Sequence, residues 1–173
     1  MGSKTRDVTG IVAIACARHG CVAPASVCNL QKGEQQKNVD FAFLSAMKST
    51  NVEGIPRVVL MYDIACQYWI NFHKCNKGLL PANVEFNQGI GIFHAYGHKG
   101  ECFLNYSPLY MSKIGVMTGE VVETVWAPLN QVSPATRSAT PAAREETIDD
   151  QLSDSNWHKI TGTGTLLCMR YSD

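Results

Sequence analysis

Val58-Val-Leu-Met-Tyr-Asp63-Ile-Ala-Cys66-Gln-Tyr68 opens as an apolar run of strand length and delivers an acid at its carboxyl end. A carboxylate at the tip of a buried strand must hold a metal, pair with a cation or stay solvated, because burying it ionised and alone costs several kcal/mol. Two readings of Asp63 follow. It caps a helix beginning at Ile64, or it is a metal-holding acid at the strand end, where ligands gather in open α/β sheets.

Working outward, Thr9 to Ala15 is a second continuous apolar run, β-branched enough to read as an interior strand. Gly20 and Pro24 break the pattern after it, which places His19 and its neighbouring cysteines on a loop from Cys16 to Cys28. Glu34 to Lys48 then sets Val39, Phe41, Ala42, Phe43, Leu44, Ala46 and Met47 on a broad helical face. A helical crossover between two apolar strands implies parallel neighbours in one sheet. On the other side, Ile64 to Lys74 reads as a helix ending before the Asn76-Lys77-Gly78 turn, and Val84 to Phe93 as a weaker strand interrupted by Gly89 and Gly91.

That weaker strand leads into His94-Ala-Tyr-Gly-His98-Lys-Gly-Glu-Cys102, a spacing of imidazoles and a thiol that suits zinc. Cys16 and His19, with two residues between them after the first strand, could complete one tetrahedral site with His98 and Cys102, with Cys66 and His94 competing as ligands. Taken singly, each is also a good core or surface residue. Cys21, Cys28, Cys75 and Cys168 have no comparable pairing and read as small hydrophobes or surface thiols. Seven cysteines, three of them crowded with a histidine, suit ligands or reduced thiols better than a disulfide frame.

Further on, Glu120 and Glu123 fall one near-turn apart and share a helix face, with Val122, Val125, Trp126 and Leu129 supplying the buried side. The plain reading of the two acids is a solvated helix start that complements the dipole. Ser133 to Thr147 is polar, with a helix expected from Pro141 to Leu152. Arg137 and Arg144 there either contact phosphate or pair with the acids at 145, 146, 149 and 150. Thr161 to Asp173 shows no clear amphipathic element and is expected to be loosely held.

Composition sets the frame. The 173 residues are 45% hydrophobic and 17% charged, enough for one domain with a real core. Basic and acidic residues balance, so no global positive field argues for nucleic acid. No apolar run reaches the roughly 18 residues of a membrane span, and the start lacks a secretory signal; the expectation is a soluble, intracellular chain with no membrane partner.

Taken together, Cys16-Ala-Arg-His19-Gly, Gly33-Glu34, Tyr62-Asp63-Ile-Ala-Cys66-Gln67, Phe93-His94 with His98 and Cys102, Gly119-Glu120 with Glu123, and Trp126-Ala-Pro-Leu-Asn130 resemble the Kyakuja-Dileera-Zisupton (KDZ) transposases, fungal members especially. Ser133-Pro-Ala-Thr-Arg137, Asp149-Asp150, Asp154-Ser-Asn156-Trp157 and Lys159 continue the likeness to about Ile160. The resemblance implies an RNase H-like core, α/β with a mixed sheet and helices, in which two Asp and one Glu hold two Mg2+ or Mn2+ ions for DNA strand cleavage and transfer at transposon ends, in the nucleus. Asp63 corresponds to the second Asp and Glu120 to the Glu, with Glu123 a close competitor. Two ions about 4 Å apart imply that Asp63 and one of those glutamates lie within roughly 8 Å.

The departures are as specific. The family's first catalytic Asp precedes the Cys16 motif and has no counterpart here: Asp7 lies at the wrong end of its strand, and Asp40 lies within a helix. The family's Asp-Gly-Glu is Thr118-Gly119-Glu120. The resulting expectation is a partial, truncated or degenerate catalytic domain over residues 1–160, lacking its first strands and inactive as it stands, with an unmatched tail over 161–173. The alternative is a non-catalytic, zinc-stabilised module for DNA or protein contact.

Overall fold

Strand β1 (Gly10–Ala15) returns at once into β2 (Val22–Leu30). The computed structural model describes residues 8–115 and 117–170; Asp7, the side chain of Cys168 and the final residues 171–173 lie outside the described parts. The Thr9 N–H donates to the Leu30 carbonyl at 2.6 Å and the Cys16 N–H to that of Cys21 at 2.8 Å, which makes the pair an antiparallel hairpin. The first strand thus forms where the sequence predicts it, but most of the expected Cys16–Cys28 loop is strand. Of its breakers, Gly20 lies in the hairpin tip and Pro24 at a bulge. Pro24, with no N–H to give, is exposed beside Ala25 at φ 55°. There the Ser26 hydroxyl donates to the Ile14 carbonyl at 3.0 Å and accepts from its N–H at 3.4 Å, replacing ladder bonds.

β3 (Arg57–Met61) pairs in parallel with β4 (Glu85–Gly89), from Arg57 opposite Glu85 to Met61 opposite Gly89. The described strands therefore form two two-stranded sheets, β1 with β2 and β3 with β4. The single sheet expected to join the Thr9 and Val58 strands is replaced by this arrangement, because the hairpin return gives β1 its backbone partner locally. Architecture is mixed α/β with small sheets.

Helix α1 (Gln36–Ser49) turns Val39, Ala42, Phe43 and Ala46 inward at helical spacing, and α2 (Ala65–Cys75) does the same with Ala65, Tyr68 and Phe72. Val39, Phe43, Leu60, Tyr68, Phe72, Val84 and Phe86 make one core, and Val12 and Ile14 of β1 pack against it. Phe43 stands edge-on to Phe72 and Phe86 at 5.7 and 6.0 Å, while Trp69 stacks on Phe72 at 4.2 Å. Asp40 is absorbed into this core: its carboxylate accepts from the Tyr68 hydroxyl and from Asn76 Nδ2, tying α1 to α2.

Tyr68→Phe keeps the ring packing and removes one bond to a charged acceptor, so it should cost about 1.5 kcal/mol at neutral pH in urea unfolding. Burial, then the hydrogen bond and charge of Asp40, hold the Tyr68 phenol above its ordinary value. Burial and Glu34 do the same for Tyr62, whose hydroxyl donates to Glu34 Oε1 at 2.5 Å. A phenol raised in the folded state contributes stability that is present in full below about pH 10 and is lost as pH rises beyond it. Tyr68→Phe should make that alkaline decline shallower; an unchanged slope would count against the assignment.

Two helices follow β4: α3 (Ile92–Tyr96) and α4 (Gly100–Tyr106). All of this, from β1 up to Ile14 and from Ala23 to residue 116, forms one compact unit. A second unit comprises Ala15–Val22, the tip of the hairpin, with the chain from Met117 onward. In it α5 (Glu123–Thr136) packs on α6 (Pro141–Arg170). Val125 and Leu129 are buried on α5, and Ile148 and Leu152 on α6. Pro128 and Pro134 lie inside α5 without ending it, and α6 runs through Gly162 and Gly164, where the sequence predicts no element. No helix among the described residues is long and apolar enough to cross a membrane.

Candidate metal centre

Parallel register places the candidate site. Met61 faces Gly89 at the carboxyl edge, and the Tyr62 N–H extends the ladder to the Gly89 carbonyl at 2.9 Å. Whatever follows β3 is thereby set beside whatever follows β4. After β3 come Asp63 and Cys66, and after β4 come His94, His98 and Cys102.

Asp63 is exposed in the turn before α2. The cap of that helix is Ile64, with no side-chain cap hydrogen bond, so the capping reading of Asp63 is set aside. Its carboxylate instead meets an imidazole: His94 Nε2 lies 3.5 Å from Asp63 Oδ1.

Cys66, His98 and Cys102, all half-buried, bring their donor atoms within 4.8 Å of one another. Cys66 Sγ is 3.5 Å from His98 Nδ1. A tetrahedral zinc with bonds of about 2.3 Å to sulfur and 2.0–2.1 Å to nitrogen sets that separation near 3.6 Å, so the pair already has the spacing the ion requires. Two thiols and an imidazole are the donor set zinc favours, and they can hold such a metal. Burial first, then the Cys102 thiol, push the Cys66 thiol above its ordinary value. A bound cation is what would favour the thiolate there. Cys66 and Cys102 also line the small apolar cluster of Ala65, Ile90 and Ala95, so the plain packing role coexists with the ligand role.

The other candidates are placed differently. Cys16 Sγ and His19 Nδ1 lie 3.5 Å apart and exposed on the hairpin tip, in the second unit. They pair with each other, whereas His98 and Cys102 have Cys66 as their companion. The described cysteines are all free thiols. Glu123 opens α5 and is exposed in its first turn, where its charge complements the helix N-terminus. Glu120 does not share that helix: it is half-buried in the preceding turn, after Gly119 at φ 80°, its N–H bonded to Thr118 Oγ1 at 3.3 Å. The Glu123 N–H donates to the Glu120 carbonyl at 3.1 Å. Arg137 is the exposed C-cap of α5, and Arg144 is half-buried on α6.

Two residues quoted only as motif turn out to have a structural task. Asn156 grips the backbone of Val22 from both sides, its Oδ1 accepting from the N–H at 2.8 Å and its Nδ2 donating to the carbonyl at 2.9 Å. One helical turn on, Lys159 Nζ donates to the Gly20 carbonyl at 2.8 Å, and burial holds its ammonium below its ordinary value. Gly20, buried at φ 72°, fits because it has no side chain: a Cβ there would stand 2.8 Å from Val121 Cγ1 and 2.9 Å from Lys159 Nζ.

Residues 2–156 match the family model described as Kyakuja-Dileera-Zisupton transposase. No curated protein and no solved structure matches the chain.

Proposed function

The chain belongs to the Kyakuja-Dileera-Zisupton transposase family, and from that premise we propose that it is part of a DNA-transposing catalytic core, RNase H-like in plan, acting on transposon ends in the nucleus. Asp63 and Glu120, with Glu123 as the competing acid, are the carboxylates of its divalent-metal chemistry, with Mg2+ or Mn2+ as the ions. The observation that carries this reading is Asp63 itself. It caps no helix and stands exposed at the carboxyl edge of a parallel strand pair, with an imidazole nitrogen 3.5 Å away. When bound, such ions stabilise charge on the attacking and leaving oxygens of a phosphodiester displacement. For the protein's part, Asp63 offers one oxygen to a cation while His94 holds the carboxylate in place. Arg137 and Arg144 supply cations for the DNA backbone.

Cys66, His98 and Cys102 supply three donors of a zinc site in this reading. Their assembled geometry also favours a second reading, a zinc-stabilised module that contacts DNA or protein without cutting it.

Two of the family's three acids have counterparts in these 173 residues. Purified chain should therefore leave supercoiled DNA intact with either Mg2+ or Mn2+, because a two-metal site short of one bridging carboxylate positions its ions poorly. Robust nicking that disappears in Asp63→Ala would overturn this expectation and show that another residue supplies the third acid. Stoichiometric zinc with no response to Mg2+ or Mn2+ would favour the module.

A further inference from the structure

We propose that the centre formed by Cys66, His98 and Cys102 positions Asp63, with His94 as the link. The Asp63–His94 pair cannot set its own geometry. Their side chains are 58% and 39% exposed, and a contact so wet contributes little even when the imidazole is protonated. The 3.5 Å spacing therefore depends on the segments that carry the two residues.

The two segments that carry this pair also carry the metal donors. Asp63 precedes Cys66 by three residues at the start of α2, and His94 precedes His98 by four, through α3 and the turn after it. The Gly97 N–H on the His94 carbonyl at 3.0 Å and the His98 N–H on the Ala95 carbonyl at 3.2 Å make that turn continuous with the helix. Fixing Cys66 against His98 therefore constrains Asp63 against His94, which stand three and four residues before them. The fully buried side chains at this junction are small, Ala65, Ile90 and Ala95, with Cys66, Cys102 and three aromatic rings packed part-buried against them. Apolar packing is non-directional and sets no fixed distance between α2 and α3, whereas metal bonds do. Groups that orient a carboxylate from behind commonly change its metal affinity 10–100-fold. His94 is thus a positioning residue for Asp63, and the thiol–imidazole centre acts through it. The value of that positioning for catalysis rests on the reading of Asp63 as a metal-holding acid; the coupling itself does not.

The test uses the full chain, zinc-loaded and chelator-stripped, with the ring nitrogens of His94 followed by NMR. With zinc, Asp63→Asn should shift the His94 signal clearly; without zinc the same substitution should shift it several-fold less. Equal shifts in the two forms would overturn the proposal. Should the stripped chain lose its fold, cadmium in place of zinc gives the second arm. Its longer bonds to sulfur should move the His94 signal, and an unmoved signal overturns the coupling. Mn2+ titration then reads the role at Asp63. His94→Ala should weaken Mn2+ binding about 10-fold, and His94→Gln, which keeps a donor near the Nε2 position, should restore most of it. Wild-type affinity in His94→Ala would sink the positioning role. Mn2+ that broadens no signal near Asp63 would sink the metal-acid reading alone, because the zinc dependence of the Asp63–His94 contact is read without manganese.

Discussion

Gly20→Ala should lower the stability of the chain by about 2 to 4 kcal/mol, seen as a large drop in the urea midpoint with loss of helix signal from the second unit. Two costs combine. The left-handed backbone at φ 72° is unfavourable for any residue with a Cβ, by about 1 to 2 kcal/mol. The added atom would also sit 2.8 Å from Val121 Cγ1 and 2.9 Å from Lys159 Nζ. Neither neighbour yields freely: Val121 is half-buried beside the start of α5, and Lys159 is tied to the Gly20 carbonyl. Gly33 provides the control. It has φ 71° but nothing within 4 Å of a Cβ, so Gly33→Ala should show the backbone cost alone. Equal losses at the two positions would mean that the close approach at Gly20 contributes nothing.

Loss of one donor from the candidate metal centre should lower zinc affinity by at least about 100-fold. Even residues that merely orient a ligand are worth 10–100-fold, and Cys66→Ala, His98→Ala or Cys102→Ala removes the ligand itself. Cobalt titration gives the readout through the thiolate-to-metal absorption, which should weaken in either cysteine variant. Because zinc at a thousand times its dissociation constant stabilises a folded protein by about 4 kcal/mol, the wild-type melting temperature should rise with zinc and those of the three variants should not. His94→Ala should retain tight zinc binding, its ring being engaged with Asp63 outside the group of three. Wild-type zinc affinity in Cys66→Ala would remove Cys66 from the site.

Much of this was legible in the sequence wherever a residue's task is local. The helical spacing of Val39, Phe43 and Ala46, the apolar run before Asp63 and the carboxyl-edge placement of Asp63 all follow from periodicity and composition. Partnership across sequence was less legible. Cys66 stands 32 residues before His98, and only the parallel register of β3 and β4 brings their following turns together. Spacing alone favoured Cys16 with His19, because short intervals are what a motif displays. The hairpin was hidden by Gly20 and Pro24, which mark its tip and its bulge, and the start of α5 by Gly119, whose left-handed turn leaves Glu120 outside the helix. Asn156 and Lys159 were visible only as part of a family motif, with nothing in it to show their structural task. A side chain that binds another segment's backbone leaves no complementary residue type there to read.

That clasp has a consequence for the order of events during synthesis. Val22 and Asn156 are 134 residues apart, and Gly20 and Lys159 are 139 apart. At about 5–20 residues per second, the hairpin tip leaves the ribosome roughly 7 to 28 seconds before the helix that will hold it. Throughout that interval the N–H and carbonyl of Val22 have only water or a chaperone to bond, and an unpaired strand end is the kind of surface on which nascent chains associate. The second unit is therefore the last to close, and slowing elongation through α6 should prolong the time for which the tip stays open to proteolysis.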